Sequence, residues 1–417
     1  MSVTALSAEP LLRRLEAAQA PAVDTPARTR ARDLFLRYGL PHRKVEAWKY
    51  TDLKPVSEMP FVAAVSAPVT AADLAPWRLA DAHVLVFIDG GFRADLSEFN
   101  ATDGVSLGRA APGASVSGEA AADAVAALNG ALATDGALVR VPDGVSLDRP
   151  VQFLFVATGG AVRSAQVRNR IDLGRGASAS VVETYAGLGT EPCWTNVVTD
   201  AVVAPGAALD HAILQSQGSA AWHTGRISAR VDTAARFSNC TVSLGAATAR
   251  QDILVQLAGV GAECRLTGAN LGRGQQHLDY FSRIDHAARE GRSVQDIRVA
   301  VDDRAMSIFQ GCIAVAPDAQ KTDAKQLCRN LLLGERSIAF AKPELEILAD
   351  DVKCTHGATT GDLGVEELFY LRARGIGADE ARQMLVAAFV ADVLEGLEAP
   401  VRGHLESAVS QWLRGAP

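Results

Sequence analysis

The sequence predicts a mainly β fold, with stacked strand-rich repeats set between helical ends. Three observations carry this. Four segments resemble one another: LGRGASASVVETY from Leu173, VAPGAALDHAILQ from Val203, VDTAARFSNCTVS from Val231 and LAGVGAECRLTGA from Leu257. Their turn positions, Gly176, Gly206, Ala234 and Gly261, are 30, 28 and 27 residues apart. A recurring period of this size marks a stacked repeat. Each unit is strand-rich, so the stack is a β-helix or a sandwich rather than a helical solenoid. Within a unit, alternation such as Ala207, Leu209, His211, Ile213 supplies one inward face. Finally, apolar residues at both ends recur at helical rather than strand spacing.

The elements follow in order. Leu11, Leu12, Leu15 and Ala18 share one helical face, and so do Ala31, Leu34, Phe35 and Tyr38. Gly39 ends the second helix and Pro41 prevents its continuation. Residues 83–89, HVLVFID, read as a strand closing in an Asp89-Gly90-Gly91 turn. Residues 101–118 read as a Gly/Ser/Ala-rich loop, and 120–133 as a short helix. The repeats then pair mainly in parallel between residues 170 and 290, and 308–315 and 338–341 continue them. Helix returns over 365–374, closing at Gly375, and over 378–395, with Met384, Leu385, Ala388 and Phe389 as its apolar stripe. A last helix, 401–413, is amphipathic through Leu405, Val409 and Leu413. Three regions result: 1–135, helical and mixed; 136–360, the repeat core; 361–417, helical.

Composition narrows the function classes. The chain has 417 residues, 48% of them hydrophobic, so it can hold a real core. Aromatics make up only 6% while glycines number 36, which suits tight repeated turns. A net charge of −7 offers no general attraction to nucleic acid or to anionic membranes. The basic stretch 24–54 reads as a solvated surface helix. Six cysteines, Cys193, Cys240, Cys264, Cys312, Cys328 and Cys354, are scattered without a CxxC pair, unlike a disulfide framework. Cys240 and Cys264 fall on similar phases of neighbouring repeats and read as packing residues. The N-terminus lacks the apolar core of a signal peptide and no run is long enough to span a membrane. A reduced, cytoplasmic protein is the expectation.

Most catalytic motifs are missing. There is no Gly-Lys pair, hence no phosphate-cradling loop, and any ATP hydrolysis must come from another subunit. Asp302-Asp303 is a weak carboxylate pair for a polysaccharide-active β-helix enzyme. His211 and His223 flank a strand turn and read as a surface pair without function. The richest stretch is KPELEILADDVKCTHGATTG, residues 342–361. A strand alternating Leu345, Ile347 and Ala349 with Glu344 and Glu346 meets a turn at Asp350-Asp351. A second short strand carries Cys354 and His356, i and i+2, on one face, beside a backbone that Gly357 lets approach closely. A thiol next to an imidazole suits soft-metal chemistry, yet two donors do not complete a zinc or iron site. The plain alternative is a structural cysteine beside a histidine capping the coil.

This block closely resembles the C-terminal signature of the SufB/SufD family of iron–sulfur cluster assembly proteins. GDLGVEELFYLRARGIGADEAR at 361–382, KVEAWKYTDL at 44–53 and AALNGALATDGALVRVPDGVSLDRPVQF at 126–153 extend the likeness over most of the chain. Cys354-Thr355-His356-Gly357 and EAWKYT are similar to the SufD branch; the SufB branch usually has a cysteine followed by Glu-His-Glu. The resemblance implies a right-handed parallel β-helix. It implies a non-catalytic scaffold that pairs with SufB through the β-helix and docks the ABC-type ATPase SufC through its C-terminal helices. His356, with Cys354, would then stand at the SufB interface and take part in binding transient iron or a nascent cluster, none of it held tightly by this chain alone. Val365, Leu368, Phe369, Leu371, Met384, Leu385 and Phe389 would fall in the SufC-docking region. A homodimer is the form open to the chain in isolation. Trp48 and Tyr50 read as packing residues, with Glu46 and Lys49 outward. A SufB-like cluster scaffold and a polysaccharide-active enzyme are the competing readings.

Overall fold

The computed structural model describes residues 5–19, 23–63, 68–100, 104–110 and 121–415. Its body is a parallel β-solenoid of two sheets. The first sheet runs in the order Lys353–Gly361, Asp323–Leu332, Arg292–Val301, Glu263–Gly272, Arg236–Ser243, Ala208–Gln215, Ser178–Gly187, Val151–Ala157, His83–Ile88, Gly91–Phe92. The second runs Ile338–Ile347, Met306–Val315, His277–His286, Thr248–Leu257, Trp222–Val231, Cys193–Val203, Arg163–Leu173, Ala137–Val141, Ser106–Arg109. From Val151 onward successive strands alternate between the sheets, so each pair completes one coil. Pairing is parallel throughout 170–290, as the repeat interval predicts. Antiparallel pairs occur at the far end, where Gly91–Phe92 meets His83–Ile88 and Ser106–Arg109 meets Ala137–Val141. Ser106–Arg109 falls where a loop was expected; pairing with a sheet edge makes it a strand. Residues 101–103 and 111–118 of that expected loop lie outside the described residues.

The corners explain the period. Gly176, Gly206, Ala234 and Gly261 have φ of 64, 70, 52 and 67°, and each stands two residues before a strand of the first sheet. Glu290 and Lys321, both at φ 63°, hold the same place on the next two coils. A left-handed residue at each corner returns the chain in phase. Ser178, Ala208, Arg236, Glu263, Arg292, Asp323 and Lys353 are consecutive register partners.

Alternation then sorts the side chains. Val181, Leu209, Phe237, Leu266, Ile297 and Cys328 are among the inward residues of one continuous core. Rings stack along it, Phe87 on Phe155 at 4.8 Å and Phe155 on Tyr185 at 5.1 Å between centroids. The first sheet's outer face is covered by Ala378–Leu394 and Ala399–Leu413 through Val386, Val390, Val393, Leu394, Val401, Leu405 and Val409. Ala5–Ala17, Pro26–Tyr38 and Ala124–Leu132 cover the second sheet around Trp194, using Leu11, Leu12, Leu15, Phe35 and Leu128. Thr25 caps Pro26–Tyr38, accepting from the Arg28 backbone, and Gly39 closes it at φ 67° with its N–H on Phe35 O at 2.7 Å.

Several expectations need correction. His211 and His223 are not a surface pair: both are buried inside the solenoid. His211 Nε2 lies 3.1 Å from Glu183 Oε1, which also accepts from the Thr199 hydroxyl at 2.6 Å. Asn239 Nδ2 meets His211 Nδ1 at 2.9 Å, and the Tyr185 hydroxyl donates to Glu183 Oε2. Burial opposes ionisation of Glu183, yet the His211 hydrogen bond and charge, with the two hydroxyls, hold its pKa below the usual value. Cys240 and Cys264 are both buried, but on opposite faces. Cys264 is the register partner of Phe237 and joins the interior, while Cys240 faces the helices, its thiol 3.7 Å from Val393 O. The basic stretch is not wholly solvated: Arg28 is buried and donates to Ala131 O at 2.8 Å and to Ala133 O. The body-facing stripe of Ala378–Leu394 is Ala381, Val386, Val390, Val393 and Leu394; Met384 and Ala388 are exposed.

A Cβ in left-handed backbone costs about 1 kcal/mol, so Gly206→Ala should lower the unfolding midpoint while Ala234→Gly should not. Denaturant unfolding of both variants checks the corner assignment. Burial also pushes the pKa of His223 and His286 down to about 4. The unfolded histidines bind protons near pH 6.5 and the folded ones only near 4, so stability is full above the higher value and is lost as pH falls through the window. Each residue should withdraw on the order of 3 kcal/mol across that span. Urea unfolding of wild type and His286→Asn between pH 7 and 4 should show a shallower loss in the variant.

Candidate partner-facing site at the terminal coil

Ile338–Ile347 and Lys353–Gly361 are the outermost strands of their sheets, each paired on one side only. The link between them bends at Asp350-Asp351. It is pinned to the coil beneath by Lys321 N on Asp351 O at 2.6 Å and Asp351 N on Gln320 Oε1 at 2.9 Å. The solenoid therefore ends in two open strand edges, with the Cys-Thr-His-Gly block on one of them.

Strand alternation puts Cys354, His356, Ala358 and Thr360 on the inward side. Their register partners beneath are Ala324, Gln326, Cys328 and Asn330, all buried in the interior. Cys354 is half-buried against Ile313, Val315, Ala324 and Ala349. Burial, reinforced by the Asp323 carboxylate, raises its thiol pKa. His356 is exposed because no further coil covers it. The structure thus brings the thiol and imidazole to one face of one strand. Gly357 points outward, and a Cβ there would make only an ordinary 3.6 Å contact with Leu327. The close backbone approach expected at that glycine is not a feature of this chain.

Among the described residues no group of three or more His, Cys, Asp or Glu side chains is placed to hold a metal ion. Cys354 and His356 offer two donors, where zinc or iron sites generally take four. The remaining cysteines are free thiols with pKa raised by burial: Cys193, Cys240 and Cys312 to about 11, Cys328 to about 12, and Cys264 higher still. These are packing groups rather than thiolate ligands. Asp302 and Asp303 form a corner: Asp303 has φ 53°, its backbone N–H donates to Asp302 Oδ1 at 2.8 Å, and its side chain accepts from Gly274 N at 2.9 Å. That geometry makes a turn, not a catalytic pair.

The N-terminal KVEAWKYTDL stretch clamps onto this same end of the molecule. Glu46 is not simply outward, since its carboxylate meets Lys342 Nζ at 2.7 Å. The salt bridge holds the exposed Glu46 carboxyl below its usual pKa. Tyr50 stacks on Phe340 at 5.3 Å, and Gln310 Nε2 donates to Ala47 O at 3.4 Å. Trp48 is buried under the Arg250 guanidinium, 4.0 Å from its ring, and donates to Ala122 O at 3.2 Å. The sequence marks Trp48 and Tyr50 as packing residues, as they are, but names none of these partners, the Glu46–Lys342 pairing included.

The C-terminal helices present a second surface. Val365 is 81% exposed, Phe369 72%, Tyr370 58% and Met384 45%. Leu368, Leu371 and Leu385 are half-buried beside them. Phe389 differs: it is half-buried against the body, 5.2 Å from the Arg298 guanidinium.

Comparison with known proteins identifies the family. The family model described as SUF system FeS cluster assembly, SufBD core domain, matches residues 155–389, and the SufBD N-terminal region matches 114–153. The chain belongs to the SufBD family of the SUF iron–sulfur cluster assembly system. It is similar to the iron–sulfur cluster assembly protein SufD of Escherichia coli, 31% identical over 391 residues and 91% of each chain. An iron–sulfur cluster assembly SufBD family protein of Synechocystis sp. is 29% identical over 411 residues, covering 91% of this chain and 89% of the relative. SufD of Bacillus subtilis is 27% identical over 290 residues, 68% of this chain and 65% of its own. No helix among the described residues is long and apolar enough to cross a membrane.

Proposed function

We propose that this chain is the SufD-type, non-catalytic scaffold subunit of a SufBCD complex, and that its terminal coil forms half of a site where iron and a nascent cluster are held against SufB. The carrying observation is His356 with Cys354 on the inward face of a terminal strand whose outer edge is unpaired. Two open strand edges favour docking of another β-structure, because unpaired backbone groups seek partners. Two donors, one a protonated thiol, favour a site completed by ligands from the partner. Neutral imidazole is a suitable ligand for iron. Iron and the cluster are cargo in this reading, not resident cofactors.

The exposed apolar face of Val365–Ala373 and Met384 supports docking of SufC, since large apolar patches on a soluble surface serve partners. ATP hydrolysis would be supplied in trans. The abundance of free thiols favours the cytoplasm. The Thr-His-Gly sequence after Cys354 favours the SufD branch over a SufB-like scaffold. Asp302 and Asp303, in their corner, give a polysaccharide-active enzyme no support.

His356→Ala should leave complex levels unchanged while lowering Fe–S maturation at least tenfold in a SufD-deficient strain under iron limitation; Cys354→Ala should have a milder effect. Full rescue by His356→Ala, or a loss that merely follows loss of the complex, would remove the histidine from the mechanism. For docking, deleting the C-terminal helices would uncover Val242 and Leu271, so a point change is the cleaner test. Phe369→Asp should weaken co-purification of SufC by roughly 30-fold, the scale of an interface hot spot. Retention of normal SufC binding would place the docking surface elsewhere.

A further inference from the structure

The interior beneath His356 differs from that beneath its neighbours. Under Cys354 lie Ala324 and then Ser293, whose hydroxyl is 2.9 Å from His286 Nε2. Under Thr360 lies Asn330, whose amide donates at 3.1 Å to both Thr359 O and Thr360 Oγ1. Under His356 lie Gln326 and then Gln295, one below the other in register. Gln326 Nε2 donates to Gln295 Oε1 at 3.2 Å, and the Ser282 hydroxyl donates to the same oxygen at 2.9 Å. The file stops at Leu266, the apolar partner of Gln295.

Two buried polar atoms of this file are left without a partner among the described residues, Gln295 Nε2 below and Gln326 Oε1 above it. Gln326 is 2% exposed, and its Oε1 is buried without a hydrogen-bond partner among the described residues. A buried acceptor left so costs about 1–3 kcal/mol. The amide nitrogen is committed to the coil below, so the carbonyl is the arm available to the coil above, where His356 stands. Gly311, facing this amide from the second sheet, keeps the place open: a Cβ at 311 would overlap Gln326 Nε2. Register partners on neighbouring strands are about 4.8 Å apart at the backbone, within reach of an imidazole N–H to an amide oxygen.

We propose that Gln326 is a positioning residue for His356: in the assembled complex its carbonyl oxygen accepts one imidazole N–H, fixing the tautomer and turning the other ring nitrogen toward iron at the partner interface. This rests on the reading of His356 as an iron ligand. A metal-binding histidine generally donates its second ring N–H to a carbonyl, carboxylate or water, and loss of that partner typically costs 10–100-fold in metal affinity or activity. Glutamine supplies that acceptor without adding charge beneath the ring.

The test labels the histidines of this subunit with 15N, assembles it with unlabelled SufB and SufC, and records the imidazole tautomer of His356 by solid-state NMR, assigned by its loss in His356→Ala. Wild type should show a single tautomer. Gln326→Leu should give a tautomer mixture and a roughly tenfold drop in Fe–S maturation at unchanged complex level. Gln326→Glu, which keeps an acceptor, should restore the single tautomer. Gly311→Ala, which displaces the amide, should behave like Gln326→Leu and replaces it if the leucine variant does not fold. An unchanged tautomer in both Gln326→Leu and Gly311→Ala overturns the proposal. If instead the tautomer responds but His356→Ala matures clusters normally, the positioning contact stands and the ligand reading falls.

Discussion

The molecule depends on strands returning in phase. Each coil must bring its first-sheet strand back so that residue 178 stacks under 208, 236, 263, 292, 323 and 353. A slip of one residue would turn every inward side chain outward. The left-handed corner residues enforce this phase: three of the six along the first sheet, Ala234, Glu290 and Lys321, accept a conformation that glycine takes freely at Gly176, Gly206 and Gly261. Because the phase holds for the whole stack, His356 lies directly above Gln326 and Gln295. The chemistry at the open end is thus set by coils that form well before it in sequence.

The second organising contact anchors the N-terminal segment to the middle of the solenoid. Arg250 is fully buried, with Nε 2.8 Å from Asp252 Oδ1 and a terminal nitrogen 2.6 Å from Asp279 Oδ2. Trp48 covers the guanidinium, and the Thr51 hydroxyl donates to the same Asp279 oxygen. Burying such charges is weakly favourable at best, whereas breaking one partner is costly. Their value lies in specifying one docking position for the N-terminal segment. That position brings Glu46 and Tyr50 to Lys342 and Phe340, beside the terminal coil. Two stretches almost three hundred residues apart therefore build one surface.

Much of this was legible in the sequence. The period of 27 to 30 residues, with Gly176, Gly206, Ala234 and Gly261 at its turns, marks the corners that prove left-handed. The alternation through Leu209 and Ile213 gives the inward face, and it already carried His211 inside; reading that histidine as exposed ignored the pattern on which it sat. Glu290 and Lys321 escaped notice because nothing in their side chains announces positive φ. The polar interior was also hidden, since Glu183, Asn239 and Gln326 look like solvent-facing residues until the coils are stacked. At the site, Cys354 and His356 followed from i, i+2 spacing, while Gln326 lies thirty residues away and becomes their neighbour only through register. The body-facing stripe of the long C-terminal helix was misread because the helix is apolar on more than one side, and only docking on Cys240 and Val242 selects Val386 and Val390.

Ligation of a nascent cluster by His356 at the terminal coil is the proposal on which the functional reading rests. The most direct measurement is pulsed EPR of a cluster-loaded, reduced SufBCD complex in which only this subunit carries 15N-histidine. A 15N hyperfine coupling from a directly bound imidazole is expected, and it should disappear with His356→Ala. A loaded complex whose cluster shows no 15N coupling from this subunit would contradict the proposal.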